Sequence, residues 1–469
     1  MRTSECGDAA SKRPPSRSPL GAQASRSPLG AQASRSPLGA QASRSPLGAQ
    51  ASRSPLDGLA RDEPWLETVE AFRARHPRRR DRLDEYERLV ADGGHLRMGD
   101  DVLAGRHRPA PPSERWLNKA DGRKKRVFQY PAGDELLFRT VNRLLQPAAA
   151  GAASPWCRSF LPGGGARAAF RGVLADAELA AKGAVRIDVR DYFNSIDVAD
   201  LLARLPAPFA TPGPVRALLD AALLDPRVVR AGQVVDGGRK GVMAGTPLAP
   251  LLATLYLREL DHEVAATGAT YARYSDDIVA LAPPSELEAV EELVRDRLAG
   301  RGLEVNEEKS CVVGPGRPWD FLGFRWDSGS IRLAPITDRK LRARATRLAR
   351  GLLRWRERSG AAGERALAAF WRRTNRRIYG VPAERSEFSW ATWFLPMLDG
   401  PDGLEALDAH LQREARYAAT GRRTGRARRL APYEALVEAG HLPLVTAFWA
   451  VREGRASYDA LVARRAGLG

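Results

Sequence analysis

The stretch Thr270-Tyr-Ala-Arg-Tyr-Ser-Asp-Asp-Ile-Val-Ala-Leu281 decides the fold. It reads as strand, turn, strand, with Ser275-Asp276-Asp277 at the turn. Upstream, Ala184–Val189 alternates Val185, Ile187 and Val189 with Arg186 and Asp188. That period of two predicts a strand with one buried face, and Asp188 lies at its end. Carboxylates on neighbouring strand ends can converge on hard cations, which take oxygen ligands. Two such ions about 3.5–4 Å apart can activate an attacking hydroxyl and stabilise a leaving oxygen in phosphoryl transfer. Taken singly, each carboxylate has a plainer reading: an Asp pair is ordinary turn chemistry, and an Asp after a strand is often a cap.

Working outward, Trp65, Val69 and Phe72 have helical spacing, and Pro77 closes that helix. A short strand is expected at Val127–Tyr130, after the basic cluster Arg123-Lys124-Lys125-Arg126, and a helix from about Asp134. Glu286–Leu303 reads as helix and Phe321–Trp326 as a short strand. From about Asp338 the chain reads as mostly helical. There Leu341, Ala345, Leu348, Leu352 and Trp355 form an apolar stripe, with Arg347, Arg350, Arg354 and Arg358 on another. Strands and helices mix without βαβ alternation, so the fold class is α+β.

Further blocks surround the aspartates. Asp188-Val-Arg-Asp-Tyr-Phe193 places an aromatic five residues after the first Asp. Gly241-Val-Met-Ala-Gly245-Thr-Pro-Leu-Ala-Pro250 lies between the two carboxylate sites. Gly302-Leu-Glu-Val-Asn306-Glu-Glu-Lys309 and Phe321-Leu322-Gly323-Phe324 follow. Upstream stand Arg126-Val-Phe-Gln-Tyr-Pro131 and Ser159-Phe-Leu-Pro-Gly163-Gly-Gly-Ala-Arg167. In order and spacing these blocks resemble the palm of prokaryotic reverse transcriptases, the group related to group II intron and retron enzymes. The resemblance covers roughly residues 116–330, and more loosely the helical C-terminal part as a thumb. It implies a right-hand polymerase: a disordered repeat tail over 1–60, an N-terminal helical extension over 61–115, fingers and palm over 116–330, and a basic helical thumb over 331–469.

By that resemblance Asp188 and Asp276 are the main metal ligands, assisted by Asp277, and the cofactor is a pair of Mg²⁺ ions, with Mn²⁺ as an alternative. Arg126 faces the phosphates of the incoming nucleotide, although Lys124 or Lys125 can do so instead. Phe193 gates against a ribose 2′-hydroxyl, and Gly245 lines the nucleotide site. Lys309 is the candidate proton donor to pyrophosphate, and Phe321, Leu322, Gly323 and Phe324 grip the primer. Phe193 and the Phe321–Phe324 strand read equally well as core, and the lysine as a surface residue. Activity is RNA-directed DNA polymerisation, with an RNA template or structured RNA, a DNA primer or product and dNTPs as partners.

The family's usual Gln before Gly245 is Ala244 here, the usual Ser before Pro250 is Ala249, and the Arg of the Pro-Gly-Arg block is Gly164. The missing Gln motivates an alternative in which the same palm makes DNA without a conventional template, or from a protein primer. No His/Asn/Cys cluster of an intron endonuclease follows the thumb. The expected use is therefore that of a standalone bacterial enzyme in antiviral defence. A non-catalytic RNA-binding scaffold or splicing helper is the alternative from another class; the three aspartates argue against it.

The charge distribution agrees. Of 469 residues, 74 are Lys or Arg and 56 Asp or Glu, a net charge of +18. Residues 1–60 carry +5, residues 331–469 carry +13, and the middle is neutral. Neutrality over the carboxylate region and positive charge over the C-terminal third fit a polyanion laid across one part of the fold. Thr420-Gly-Arg422-Arg423-Thr-Gly-Arg426-Ala-Arg428-Arg429 reads as a basic loop for RNA or hybrid-duplex contact. Residues 16–56 repeat the unit SRSPLGAQA, too poor in apolar surface to order itself. Three scattered cysteines disfavour a disulfide framework or zinc knuckle. No uncharged run reaches membrane-span length and no apolar signal core is present, so the expected location is cytoplasmic, with a protein partner or oligomer left open.

Overall fold

The computed structural model describes residues 54–118, 124–238, 240–380 and 389–453. The chain enters through a short 3₁₀ turn at Asp57–Ala60; Leu59 within it and Leu56 just before it are fully buried. Order therefore starts before residue 61, where the expected tail ends, and the last residues of that tail are core. The rest of that tail, with the four complete repeats, lies outside the described residues. Helices α1 (Asp62–Arg75), α2 (Arg80–Ala91) and α3 (Gly94–Leu103) follow. Helix α1 buries Trp65, Val69 and Phe72, the helical spacing read from the sequence.

Strands β1 (Ser113–Asn118) and β2 (Lys124–Gln129) form an antiparallel hairpin. Arg123, first of the expected basic cluster, lies outside the described residues. Helix α4 (Ala132–Ala152) packs against α1, and α5 (Ala166–Leu174) leads to β3 (Gly183–Asp188). Then come α6 (Tyr192–Ser195), α7 (Val198–Arg204), α8 (Pro214–Leu223) and a second hairpin, β4 (Arg227–Arg230) with β5 (Gln233–Asp236). A bridge from β1 to β4 joins the two hairpins into one sheet, ordered β2-β1-β4-β5. Helices α9 (Ala249–Tyr256) and α10 (Arg258–Ala266) precede the decisive hairpin, β6 (Thr270–Tyr274) and β7 (Asp277–Ala282).

After α11 (Leu287–Ala299), strand β8 (Cys311–Val313) completes the central antiparallel sheet, ordered β6-β7-β3-β8. The expectation of one buried face on β3 is corrected here. Val185 and Ile187 point into the core shared with α4 and α9, while Ala184 enters a second core with Phe170, Trp319 and Phe324. Small residues on the second face, Ala184 on β3 and Ala272 on β6, hid this double burial from a simple alternation count.

The expected strand at Phe321–Trp326 is a hairpin instead. Strands β9 (Trp319–Phe321) and β10 (Phe324–Asp327) turn at Leu322-Gly323, and β11 (Ser330–Leu333) adds a third strand. The turn requires left-handed backbone at both positions, φ +53° and +88°. A Cβ at Gly323 would lie 2.8 Å from Thr337 Oγ1, so glycine is needed there for space as well. The expected boundaries at 115/116 and 330/331 both cut through strands, β1 and β11; the change to helix comes after Leu333.

Helices α12 (Pro335–Ser359), α13 (Gly363–Tyr379), α14 (Trp390–Phe394) and α15 (Leu404–Thr420) follow, with α12, α13 and α15 packed on one another. Leu341, Ala345 and Leu352 of the α12 stripe are buried, Leu348 and Trp355 half-buried, and Arg347, Arg350, Arg354 and Arg358 exposed. Short helices α16 (Gly425–Leu430), α17 (Tyr433–Glu438) and α18 (Leu444–Arg452) close the described chain. No helix among the described residues is long and apolar enough to cross a membrane.

Asp408 on α15 ties this C-terminal part together. Its carboxylate accepts from the backbone N–H of Leu444 (2.8 and 3.0 Å) and Val445 (3.4 Å) at the start of α18. Burial pushes its pKa up to about 6, against the lowering effect of those hydrogen bonds. The folded state then binds more protons than the unfolded one between about pH 4 and 6, so this group's stabilisation falls as pH rises through that window. Compared with Asp408→Asn, the native protein should gain up to about 2 kcal/mol on going from pH 7.5 to 4.5. Urea unfolding of both proteins at the two pH values checks this; a pH-independent difference contradicts it.

Candidate active site

Antiparallel pairing of β3 with β7 places Asp188 directly opposite Asp277, and Asp276 sits next to it in the β6–β7 turn. Ser275, at φ +61°, makes the turn tight and has a buried hydroxyl. The three predicted carboxylates therefore meet at one edge of the central sheet. Asp188 is 4% exposed. Its Oδ1 accepts from Asn306 Nδ2 (2.8 Å), and Lys309 Nζ reaches both its oxygens at 2.7 and 2.8 Å. The backbone N–H of Asp188 donates to Ser310 Oγ (3.1 Å), and its carbonyl accepts from Asn306 N (2.8 Å). The turn 306–310 thus wraps the end of β3.

Electrostatics mark the same place. Burial raises the pKa of Asp276, helped by the charge on Asp188 and opposed by Lys309 and Lys125. Burial and the neighbouring Asp276 push Asp277 up to about 6, while Arg186, with Nη2 at 4.0 Å, pulls the other way. Crowded carboxylates that resist ionising together are a donor set suited to a hard divalent cation. Lys309 is the cation that now sits on Asp188. Among the described residues, no three His, Cys, Asp or Glu side chains converge closely enough as they stand to hold a metal ion. The donor chemistry suits hard divalent ions, and in this structure the Lys309 ammonium is the charge that balances Asp188.

Three aromatic rings form the floor beside the carboxylates. Phe193 is half-buried and meets Phe160 edge-on at 6.3 Å; Phe160 lies 5.8 Å from Tyr274. Lys125 Nζ stands 5.8 Å from the Phe193 ring. Phe160 is 40% exposed at φ +58°; it lies in the Ser159–Arg167 block, but no role was expected of the ring itself.

The loop 241–246 lies against Phe193 and β2. Gly241, at φ +57°, passes so close to Phe193 that a Cβ would fall 2.2 Å from its carbonyl oxygen. Asn194 links the pieces: its Oδ1 accepts from Ala244 N (3.2 Å) and its Nδ2 donates to Arg126 O (3.2 Å). Ala244 O accepts from Phe128 N (2.8 Å). Gly245 is exposed on this loop beside β2.

Two expectations change. Arg126 does not face the carboxylates: its Nη2 donates to Glu114 Oε2 (3.0 Å) and Gly237 O (2.7 Å), and its guanidinium lies over Phe128. Alternation along β2 turns its neighbour Lys125 toward Phe193 and Asp276 instead. The grip segment also divides. Phe321 and Phe324 are fully buried, with Phe324 stacked on Phe170 at 5.0 Å, so only the half-buried turn Leu322-Gly323 can touch a ligand. Apolar packing beneath the hairpin claims both rings.

The C-terminal arginines are not in a loop throughout: Arg426, Arg428 and Arg429 lie on α16. Arg422, Arg426, Arg428 and Arg429 are exposed. Arg423 is engaged, donating to both oxygens of buried Glu414 (2.7 and 3.2 Å) and lying 3.6 Å over Tyr417. Its first duty is to hold α15.

A buried ion pair that no motif announced supports the catalytic turn. Arg273 and Asp261 are both fully buried, joined at 2.7 Å through Nε–Oδ1 and Nη2–Oδ2. Arg273 also donates to Thr254 O (2.9 Å) and Ser275 O (3.3 Å), and Tyr271 Oη to Asp261 Oδ1 (2.8 Å). The only sequence signal was a charged residue at an inward position of an apolar strand.

Residues 129–326 match the family model described as reverse transcriptase (RNA-dependent DNA polymerase). This segment is a reverse transcriptase domain, of the nucleotidyltransferase class, and the mixed α+β layout agrees with a right-hand polymerase fold. No curated protein matches the sequence. Among solved structures, apo telomerase from Candida tropicalis truncated from its C-terminal domain is similar with 11% identity and a TM-score of 0.38. That match covers 52% of this chain and 60% of the telomerase chain.

Proposed function

We propose that the chain is an RNA-directed DNA polymerase of the prokaryotic kind, with Asp188, Asp276 and Asp277 holding two Mg²⁺ ions, or Mn²⁺ in their place. The meeting of the three carboxylates at one sheet edge, inside a reverse transcriptase domain, carries this reading. The ions, when bound, would supply activation of the 3′-hydroxyl and neutralisation of the departing pyrophosphate. The protein's own part is positioning. Asn306 and Ser310 fix Asp188; Lys309, on the same turn and paired with Asp188 here, would give the leaving phosphate its proton once released from that carboxylate. Lys125 on β2 offers the counter-charge first assigned to Arg126. The two hairpins of the β2-β1-β4-β5 sheet act as fingers, the central sheet as palm, and the helices from Pro335 as a thumb over template–primer duplex. Primer extension on an RNA template in Mg²⁺ tests the reading; RNA binding without dNTP incorporation would favour a scaffold.

Phe193 is assigned as the floor beneath the sugar. Phe193→Val should raise the use of ribonucleotides over deoxynucleotides roughly 10- to 100-fold, read from the kcat/KM ratio of the two. An unchanged ratio contradicts the assignment. Lys125→Ala should raise the KM for dNTP about tenfold, the loss of one charged contact. Arg126→Ala should instead lower stability, because the buried Glu114 carboxylate then keeps Arg230 alone among the described residues.

Ala244 favours a second reading. Its side chain is a buried methyl and its backbone N–H and C=O are both hydrogen-bonded, so residue 244 itself offers no polar group to a template base where the family has Gln. Synthesis without a conventional template, or from a protein primer, is the corresponding proposal, with antiviral defence in a bacterium as its use. Single dNTPs without added nucleic acid should then be incorporated; a strict need for template RNA removes this reading. A phage challenge of cells carrying the native or the Asp188→Asn protein tests the biological part.

A further inference from the structure

Away from the carboxylate edge, α12 and α13 enclose a cleft of about 500 Å³. Its floor is small: Gly351, Ala368 and Ala369. A Cβ at Gly351 would meet nothing within 4 Å, so the gap is open rather than filled by a neighbour. Trp355, half-buried, forms one wall, and Arg365, Arg372 and Arg373 form the other. These three arginines are exposed and lie on one face of α13, at spacings of seven and eight residues from the first. None of them forms an ion pair with a carboxylate among the described residues. On α12 the exposed Arg347, Arg350 and Arg354 continue the positive surface for about 10 Å.

An open cleft with an aromatic wall, small residues beneath and unneutralised guanidinium groups opposite suits a planar base bearing phosphate. The volume suits one nucleotide. The positive surface running on beyond it suits the backbone of a longer strand. We infer that the α12–α13 cleft takes an unpaired nucleotide of a single-stranded segment, RNA by the template chemistry of the proposed function on which this choice rests, its base stacked on Trp355 and its phosphates held by Arg365, Arg372 and Arg373. This goes beyond polymerisation. A paired base cannot enter the cleft, so the site distinguishes unpaired from duplex RNA.

The test is binding by the full chain, without dNTPs or divalent ions, of a fluorescein-labelled 20-nucleotide RNA, the matching single-stranded DNA, and the RNA–DNA hybrid of equal length. Trp355→Ala should weaken single-stranded RNA binding about 5- to 100-fold, the range expected for one stacked base, with hybrid binding changed less than about twofold. Trp355→Phe should restore most of it. The pair Arg372→Gln and Arg373→Gln should lower the salt dependence for single strands by more than one unit of slope, and keeps the proposal testable if Trp355→Ala melts early. Single-stranded DNA bound as tightly as RNA, and equally weakened by Trp355→Ala, would overturn the choice of RNA. Native-like RNA binding by folded Trp355→Ala, or equal loss for hybrid and single strand, would overturn the site itself. Because no nucleotide incorporation is read, failure here is distinct from failure of the polymerase assignment.

Discussion

Replacing either member of the Arg273–Asp261 pair alone should cost about 3–5 kcal/mol of stability. Arg273→Met leaves the Asp261 carboxylate fully buried with only the Tyr271 hydroxyl, and frees the carbonyls of Thr254 and Ser275. Asp261→Leu leaves a buried guanidinium without a counter-charge. The double replacement Arg273→Met with Asp261→Leu removes both charges and should recover most of the loss, since a buried pair often contributes little net stability over apolar packing. Its activity should nevertheless fall, because Arg273 holds the carbonyl of Ser275 and with it the turn bearing Asp276 and Asp277. Denaturant unfolding of the two single variants and the double variant checks the first part. Single losses under about 1 kcal/mol, or a double variant no better than either, would contradict it.

Asp188→Asn should lower nucleotide incorporation on the order of a thousandfold or more, the scale of losing one carboxylate from a metal-assisted phosphoryl transfer. The fold should survive. The amide keeps the Oδ1 acceptor for Asn306, and the freed Lys309 side chain is 47% exposed, so it returns to water. A variant with a native melting curve and near-native turnover would mean that the carboxylate edge is not the reacting centre.

The hairpin at 270–281 and the strand ending at Asp188 could be read from residue types alone, because alternation and a polar turn are local properties. That Asp188 joins Asp276 and Asp277 was carried by the resemblance; the pairing that sets Asp188 opposite Asp277 was not legible, because nothing local fixes which strands pair. Helix α12 was legible for the same reason as the strands: its stripe of Leu341, Ala345 and Leu352 repeats at the helical period. Side-chain direction was not. Whether Lys125 or Arg126 faces the carboxylates depends on the register of β2 within its sheet, and the fate of Phe321 and Phe324 depends on α5 and α14 packing beneath them. Arg273 was invisible because a buried charge is recognisable only with its partner, and Asp261 lies on a helix twelve residues earlier. The basic segment 420–429 was right in charge and wrong in detail: capture of Arg423 by Glu414 depends on how α15 lies against the turn that follows it.

The most direct measurement is primer extension by the full chain on a defined RNA template annealed to a DNA primer, with dNTPs and Mg²⁺, sequencing the product, beside Asp188→Asn. The account predicts DNA complementary to the RNA from the native protein and none from the variant. Product that is equal in both proteins, or no incorporation by the native protein in either Mg²⁺ or Mn²⁺ with or without template, would contradict it.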